Sequence, residues 1–191
     1  MAFSGSSHEE PLVVRLVRGA VGGVLSGVVF AAVAMWYAHS MGAGASVPLQ
    51  MISTIIKGNE AMLRGTGSAG VGLAIHAALS ALYGALFGLA VPRLRTNGTV
   101  AIAGTVYGAL LFVVNFTYLV PLAFYAFDKA NYAFELFAHL VYGLLVSFAF
   151  FGSGIRRGEP VIALQRREPR WARDGTPLTS AAPRKLGKLR R

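Results

Sequence analysis

The sequence predicts an all-α membrane protein: an antiparallel bundle of four transmembrane helices with an interfacial helix and a basic cytoplasmic tail. The chain has four apolar stretches, each reaching the ~20 residues that cross ~30 Å of hydrocarbon. Hydrophobic residues make up 54% of the chain and charged residues 14%, whereas a soluble domain has roughly 25% charged residues. The arginines and lysines between the stretches fall mostly on one side.

The four predicted spans follow a short polar leader, residues 1–11. They run at about 12–38, 69–91, 99–127 and 130–152. Because the loop after the second span is short, the second and third spans are expected to be neighbours, and the turn near Asp128 implies the same for the third and fourth.

The distribution of basic residues predicts the orientation. Four spans put both termini on one side, and arginine pairs adjoin the spans there: Arg15 and Arg18, Arg93 and Arg95, Arg156 and Arg157. The other two loops are poorer in positive charge. The positive-inside rule therefore predicts a multi-pass protein with both termini in the cytoplasm.

The loop after the first span, residues 42–68, is too long for a plain hairpin. Within it, residues 48–63 show apolar residues at helical spacing, Ser46 can cap this segment, and Pro48 suits its first turn. The segment is too short to span. It is expected to lie at the outer interface or over the mouth of the bundle, with Gly58 and Gly65 weakening or ending it.

Glycines four residues apart recur in the first three spans. They are Gly19, Gly23 and Gly27, then Gly84 and Gly88, then Gly104 and Gly108. Such glycines form a flat stripe that another helix can approach closely. They either pack the four helices against each other or face another subunit, for which Gly19–Gly27 is the best candidate.

Polar residues inside the spans are the candidate functional groups, because ionisable side chains are costly in hydrocarbon. Glu135 and His139 share one face of the fourth span, and His76 lies in the second. By residue count these three could meet Asn115 in the outer half of the bundle. Tyr118, near the outer end of the third span, and His39, at the rim of the first, complete the set.

Several roles are open for this set. One is an internal hydrogen-bond cluster in which Glu135 pairs with His139 or His76. Another is ligation of haem b by His76 and His139. A third is a metal site that adds His39 and Glu135, since imidazole and carboxylate suit zinc or copper. A fourth is a path for protons or a small solute.

The tail, residues 154–191, carries most of the net charge. From residue 155 onward it has eleven Lys/Arg against three acidic residues. It is expected to be drawn to anionic lipid or to dock on an acidic partner. The predicted docking residues are Arg166, Arg167, Arg170 and Trp171. Nucleic acid is not an expected partner, because Trp171 is the tail's only aromatic residue and the tail emerges at a membrane.

Three motifs carry a resemblance to a known group of proteins. They are Pro48-x-x-Met51-Ile52-x-x-Ile55, Gly72-x-x-x-His76-x-x-x-Ser80-x-x-Tyr83-Gly84 and Ala138-His139-Leu140-Val141-Tyr142-Gly143. Over residues 15–153 the chain resembles small four-span inner-membrane proteins of bacteria, in which a histidine within a span is followed by a Tyr-Gly step. The resemblance implies a bacterial inner membrane and no particular reaction.

The expected function is that of a non-catalytic accessory subunit of a larger membrane complex, respiratory or photosynthetic. The sequence has no cysteine and none of the phosphate-loop, zinc-protease or nucleophile-elbow motifs, so no enzyme is predicted. The expected partners are other membrane subunits and anionic lipid, with no soluble substrate and no cofactor. The alternatives are a haem- or metal-binding protein and a small transporter or channel. The last is disfavoured because the inner halves of the spans are nearly free of polar residues.

Overall fold

The computed structural model describes residues 10–152, which are helical apart from turns and short connections. The polar leader before residue 10 and the basic tail, with its four predicted docking residues, lie outside this range. The α-helices within the range are α1 Leu12–Ser40, α2 Val47–Lys57, α3 Ala69–Ala90, α4 Asn97–Phe112, α5 Val120–Ala123 and α6 Tyr132–Phe148. A π-helix, Val113–Leu119, joins α4 to α5, and 3₁₀ turns occur at Asn59–Ala61, Val91–Arg93 and Tyr125–Phe127.

Three helical stretches are long and apolar enough to cross a membrane, which indicates a membrane protein. They are Leu12–Ser40, Ala69–Arg93 and Asn97–Ala123. Their outward side chains are apolar, as on α1, where Val13, Val17, Val21 and Leu25 are all more than half exposed. The fourth apolar helix, α6, has 17 residues and is therefore about 25 Å long.

Three predicted elements end earlier than the sequence suggested, and one is the fourth span, predicted at 130–152 and observed as the helix Tyr132–Phe148. The loop helix stops at Lys57 rather than at residue 63, because Gly58 adopts a φ of +84° that ends the helical path. The third stretch stops at Ala123 rather than at residue 127, where Phe124 leaves the helical region. Ser46 does precede α2, but its hydroxyl accepts a hydrogen bond from the Gln50 side chain and does not cap the backbone.

The long helices pack as two close pairs. In the first pair, α1 lies against α3 so closely that a Cβ at Gly19 or Gly23 would overlap the backbone of Gly84 or Ser80. In the second pair, α4 lies against α6, with Gly104 and Gly108 on the backbones of Gly143 and His139. Gly27 packs on the Ser80 side chain, and Gly88 on the carbonyl of Arg15. All seven glycines of the predicted stripes therefore lie at contacts within this chain.

Larger side chains fill the space between the pairs. At the end of the helices that carries residues 12, 93 and 97, here called the terminal end, Phe87, Val91, Val100, Val146 and Phe150 are each at most 2% exposed. The opposite end carries residues 41–68 and 124–131 and is called the loop end. The neighbouring α3 and α4 meet through side chains, with the Phe87 and Tyr107 rings 5.4 Å apart.

Candidate functional site

A cavity of about 930 Å³ lies at the loop end, between the two helix pairs and beneath α2. Most of its lining is apolar. The polar residues that line it along α3, the π-helix and α6 are His76, Ser80, Tyr83, Asn115, Glu135, His139 and Tyr142. Four of these residues were predicted from the sequence to converge: His76, Asn115, Glu135 and His139. The structure brings all four to one cavity.

A chain of hydrogen bonds runs along one wall of this cavity. Tyr107 donates its hydroxyl proton to the Tyr83 carbonyl at 2.8 Å, and the Tyr83 hydroxyl donates to Asn115 Oδ1 at 3.1 Å. Asn115 Nδ2 lies 3.3 Å from His139 Nε2, and His139 Nδ1 lies 2.7 Å from the Glu135 carbonyl. Because a carbonyl only accepts, Nδ1 carries the proton and Nε2 accepts from Asn115. These hydrogen bonds therefore fix a neutral tautomer of His139.

Asn115 joins this series of hydrogen bonds from the π-helix, where the backbone departs from regular α-helical geometry. The N–H of Val120 donates to the carbonyl of Asn115, five residues earlier, and Pro121 has no N–H to continue the regular ladder. The wider π turn changes the angular positions of the side chains that follow it. Tyr118 is 59% exposed and does not line the cavity, so the structure does not bring it to the cluster.

His76 lines the same cavity but bonds to α1. Its Nε2 lies 2.8 Å from the Gly27 carbonyl, so this nitrogen donates, and in the neutral ring Nδ1 is the acceptor. The Phe30 ring contacts both histidines, with centroids 5.7 Å from His76 and 5.1 Å from His139. Ligation of haem through Nε2 of either residue would break its present hydrogen bond. Haem binding stays a prediction.

A metal site with His39 is not assembled in this structure. His39 is exposed at the end of α1 and does not line the cavity. Among residues 10–152, no three His, Asp or Glu side chains lie close enough together to hold an ion.

Glu135 contributes a carboxylate that faces the cavity. Its Oε2 is 4.0 Å from His139 Nδ1, but that nitrogen donates to the backbone carbonyl of Glu135 instead. The expected side-chain pair of Glu135 with His139 is therefore replaced by a bond to the main chain. Within the described range the carboxylate accepts no hydrogen bond, and its side chain is 19% exposed.

The cavity is covered by the loop that contains α2. Gly72 lets α3 approach α2, because a Cβ there would overlap the Leu49 carbonyl. A group of contacts, called the latch, ties this loop to the turn after α5. Asn59 Nδ2 donates to the Ala123 carbonyl at 2.8 Å, its Oδ1 accepts from the Ala126 N–H at 3.2 Å, and the Tyr125 hydroxyl donates to Glu60. The Glu60 carboxylate raises the pKa of Tyr125 above its ordinary value.

The latch, the role of Phe30 and the π-helix were not predicted from the sequence. Pro121 within an apolar span is a signal of helix irregularity that was available. No sequence pattern predicts the hydrogen bonds of Asn59 and Glu60, because their partners lie more than 60 residues away in the sequence.

Comparison of the chain with protein-family models, curated proteins and solved structures gives no match. The cavity and its polar groups are therefore the basis on which a function is argued.

Proposed function

We propose that this chain is a four-span membrane protein that binds a small amphipathic molecule in the cavity at its loop end. The observation that carries the proposal is a volume of about 930 Å³ whose walls are mostly apolar, with a few polar groups among them. Ligand pockets in proteins have volumes of roughly 300–1,000 Å³ and this same kind of lining. A polar cluster that served only to join helices would be expected to be filled by side chains at the density of a protein interior.

The proposed architecture counts α6 as the fourth span. Its length of about 25 Å is a few ångströms below the hydrocarbon thickness, a mismatch that local thinning of the bilayer accommodates. The arginines at the terminal end, Arg15, Arg18 and Arg93, support cytoplasmic termini, and the proposed membrane is the bacterial inner membrane. The cavity then opens on the outer side, and α2 lies at that interface.

The closed terminal end favours binding over conduction. Phe87, Val91, Val146 and Phe150 fill the space between the helix pairs below the cavity. A channel or a continuously open path would need polar or water-filled space at this level. The transporter alternative therefore requires a second conformation.

An accessory-subunit role is a second proposal, supported by a different surface. A groove of about 490 Å³ runs along α1, with Val17, Val21 and Gly22 among its lining residues and Arg18 beside them. Its apolar lining suits a transmembrane helix of another subunit. Purification of the protein alone from mild detergent extracts would count against this role.

The binding function is tested by filling the cavity. Ala34 is buried and lines it, whereas Ala32, two residues earlier on α1, is exposed and does not. Binding of 1-naphthalenemethanol to the protein in lipid nanodiscs is measured by equilibrium dialysis, with empty nanodiscs subtracted. We expect saturable binding by the wild type and by Ala32→Phe, and a loss of about tenfold or more in Ala34→Phe.

Equal binding by all three proteins, or no binding above that of empty nanodiscs, would contradict the proposal. The melting temperature of each variant is measured alongside, so that misfolding of Ala34→Phe is recognised. If Ala34→Phe does not fold, the smaller change Ala34→Val replaces it and the same order of affinities is expected.

A further inference from the structure

Two polar groups that line the cavity are acceptors without a hydrogen bond among residues 10–152. The hydroxyls of Tyr83 and Tyr142 both donate to the protein, the latter to the Ser80 carbonyl at 2.7 Å. In the neutral ring of His76, Nδ1 is the acceptor, and it has no hydrogen bond in the part of the chain that the structure describes. The Glu135 carboxylate likewise accepts none. A ligand that completes these two acceptors must therefore supply protons.

The charged side chains that line the cavity also indicate what kind of ligand it would bind. Glu135 is the one acidic side chain among the lining residues, and the one lysine there, Lys129, forms no ion pair with it in residues 10–152. A carboxylate without a partner is costly in low-dielectric surroundings, and a cation beside it offsets that cost.

Aromatic rings surround the same space. Phe30, Phe116 and Phe134 line the cavity, together with the ring of Tyr37, which stacks on Phe134 at 4.0 Å. Ring faces attract ammonium groups, and the attraction grows when water is excluded. Aromatic walls beside one carboxylate form a site suited to an organic cation rather than to a metal ion, which would need more oxygen or nitrogen ligands.

We infer that the ligand is a lipophilic amine, whose ammonium group lies against the Glu135 carboxylate and whose apolar body lies between the aromatic side chains. This inference rests on the proposed binding function and adds the chemical class of the ligand. Glu135 provides the counter-charge, and His76 Nδ1 provides a second acceptor for a further N–H.

The test compares two probes of nearly the same shape. 1-Naphthylmethylamine is cationic at neutral pH, and 1-naphthalenemethanol replaces its ammonium with a hydroxyl. In the dialysis assay with nanodiscs, the wild type should bind the amine about tenfold or more tightly than the alcohol. Glu135→Gln should remove that preference while changing binding of the alcohol by less than about threefold.

The matched control is Asp128→Asn, which removes one negative charge from the same end of the molecule but outside the cavity lining. It should retain the preference for the amine. Equal loss in Asp128→Asn and Glu135→Gln would show attraction by the surface charge alone and overturn the inference.

The two proposals fail in different ways. If the wild type binds neither probe, the binding function itself is wrong. If it binds both probes equally and Glu135→Gln changes nothing, the cavity binds ligands but the amine inference is wrong. Loss of both probes in Glu135→Gln, with an unchanged melting temperature, would show that Glu135 shapes the cavity without selecting a cation.

Discussion

At the scale of single residues, Asn115 joins two groups that would otherwise lack partners. Its amide oxygen accepts from Tyr83 and its amide nitrogen donates to His139. The spacing of Glu135 and His139 on one helix face could be predicted from the sequence. The acceptor of the His139 Nδ1 proton could not be predicted, because the Glu135 carboxylate and the Glu135 backbone carbonyl are both close to this nitrogen.

Replacing Asn115 with Leu should therefore destabilise the protein. The change leaves the Tyr83 hydroxyl and His139 Nε2 unpaired, at a cost of about 1–3 kcal/mol. The melting temperature in detergent should fall, and it should partly recover in the double variant Tyr83→Phe/Asn115→Leu. Tyr118→Phe, on the exposed side of the same π-helix, is the control with no expected change. Strict additivity of the two changes would show that Tyr83 and Asn115 are not coupled.

At the scale of helices, the glycine spacing in the sequence left open whether the stripes face another helix of the chain or another subunit. A repeat of small residues predicts that a helix approaches, but it does not say which one. In the structure α1 meets α3, and α4 meets α6, with backbone atoms in near contact at Gly84 and Gly143. The third stretch shows another limit of the sequence, because hydropathy cannot distinguish an α-helix from the π-helix that positions Asn115.

Gly84→Ala should separate α1 from α3. A Cβ at this position would overlap the backbone of Gly19 and Gly23, which cannot give way as a flexible side chain can. Overpacking of this kind costs about 1–3 kcal/mol, so the melting temperature should fall. Gly70→Ala in the same helix meets nothing within 4 Å and should be neutral or stabilising by up to about 1 kcal/mol. The same melting temperature for both variants would mean that the close approach at Gly84 is absent.

At the scale of the whole molecule, the apolar lengths in the sequence predicted the helical class and the three long stretches. They did not predict the cavity, because its volume depends on how far the two helix pairs diverge. The glycines that bring the helices of each pair together could be identified from the sequence. The contacts between the two pairs, made by Phe30, Tyr83 and Tyr107, could not. Their side chains meet residues 24 to 109 positions away.

The absence of cysteine allows the four-span topology to be tested directly. Single cysteines are introduced at Leu63, Arg95, Asp128 and Phe151 and labelled in intact cells with a membrane-impermeant maleimide. Leu63→Cys and Asp128→Cys should react, whereas Arg95→Cys and Phe151→Cys should react only after permeabilisation. Reaction of Phe151→Cys in intact cells would show that α6 does not cross the membrane.

The division into two tight pairs has a mechanical consequence. We expect each pair to move as a unit, because its helices are in backbone contact and the layer of Phe87, Val146 and Phe150 holds the pairs together at the terminal end. Enlargement of the cavity would then separate the pairs at the loop end, where the Tyr37–Phe134 stack and the latch are among the contacts that join them. A larger ligand would therefore require a wider angle between the pairs. Because Asn59 bonds to the turn after α5, a wider angle would also strain the loop that covers the cavity.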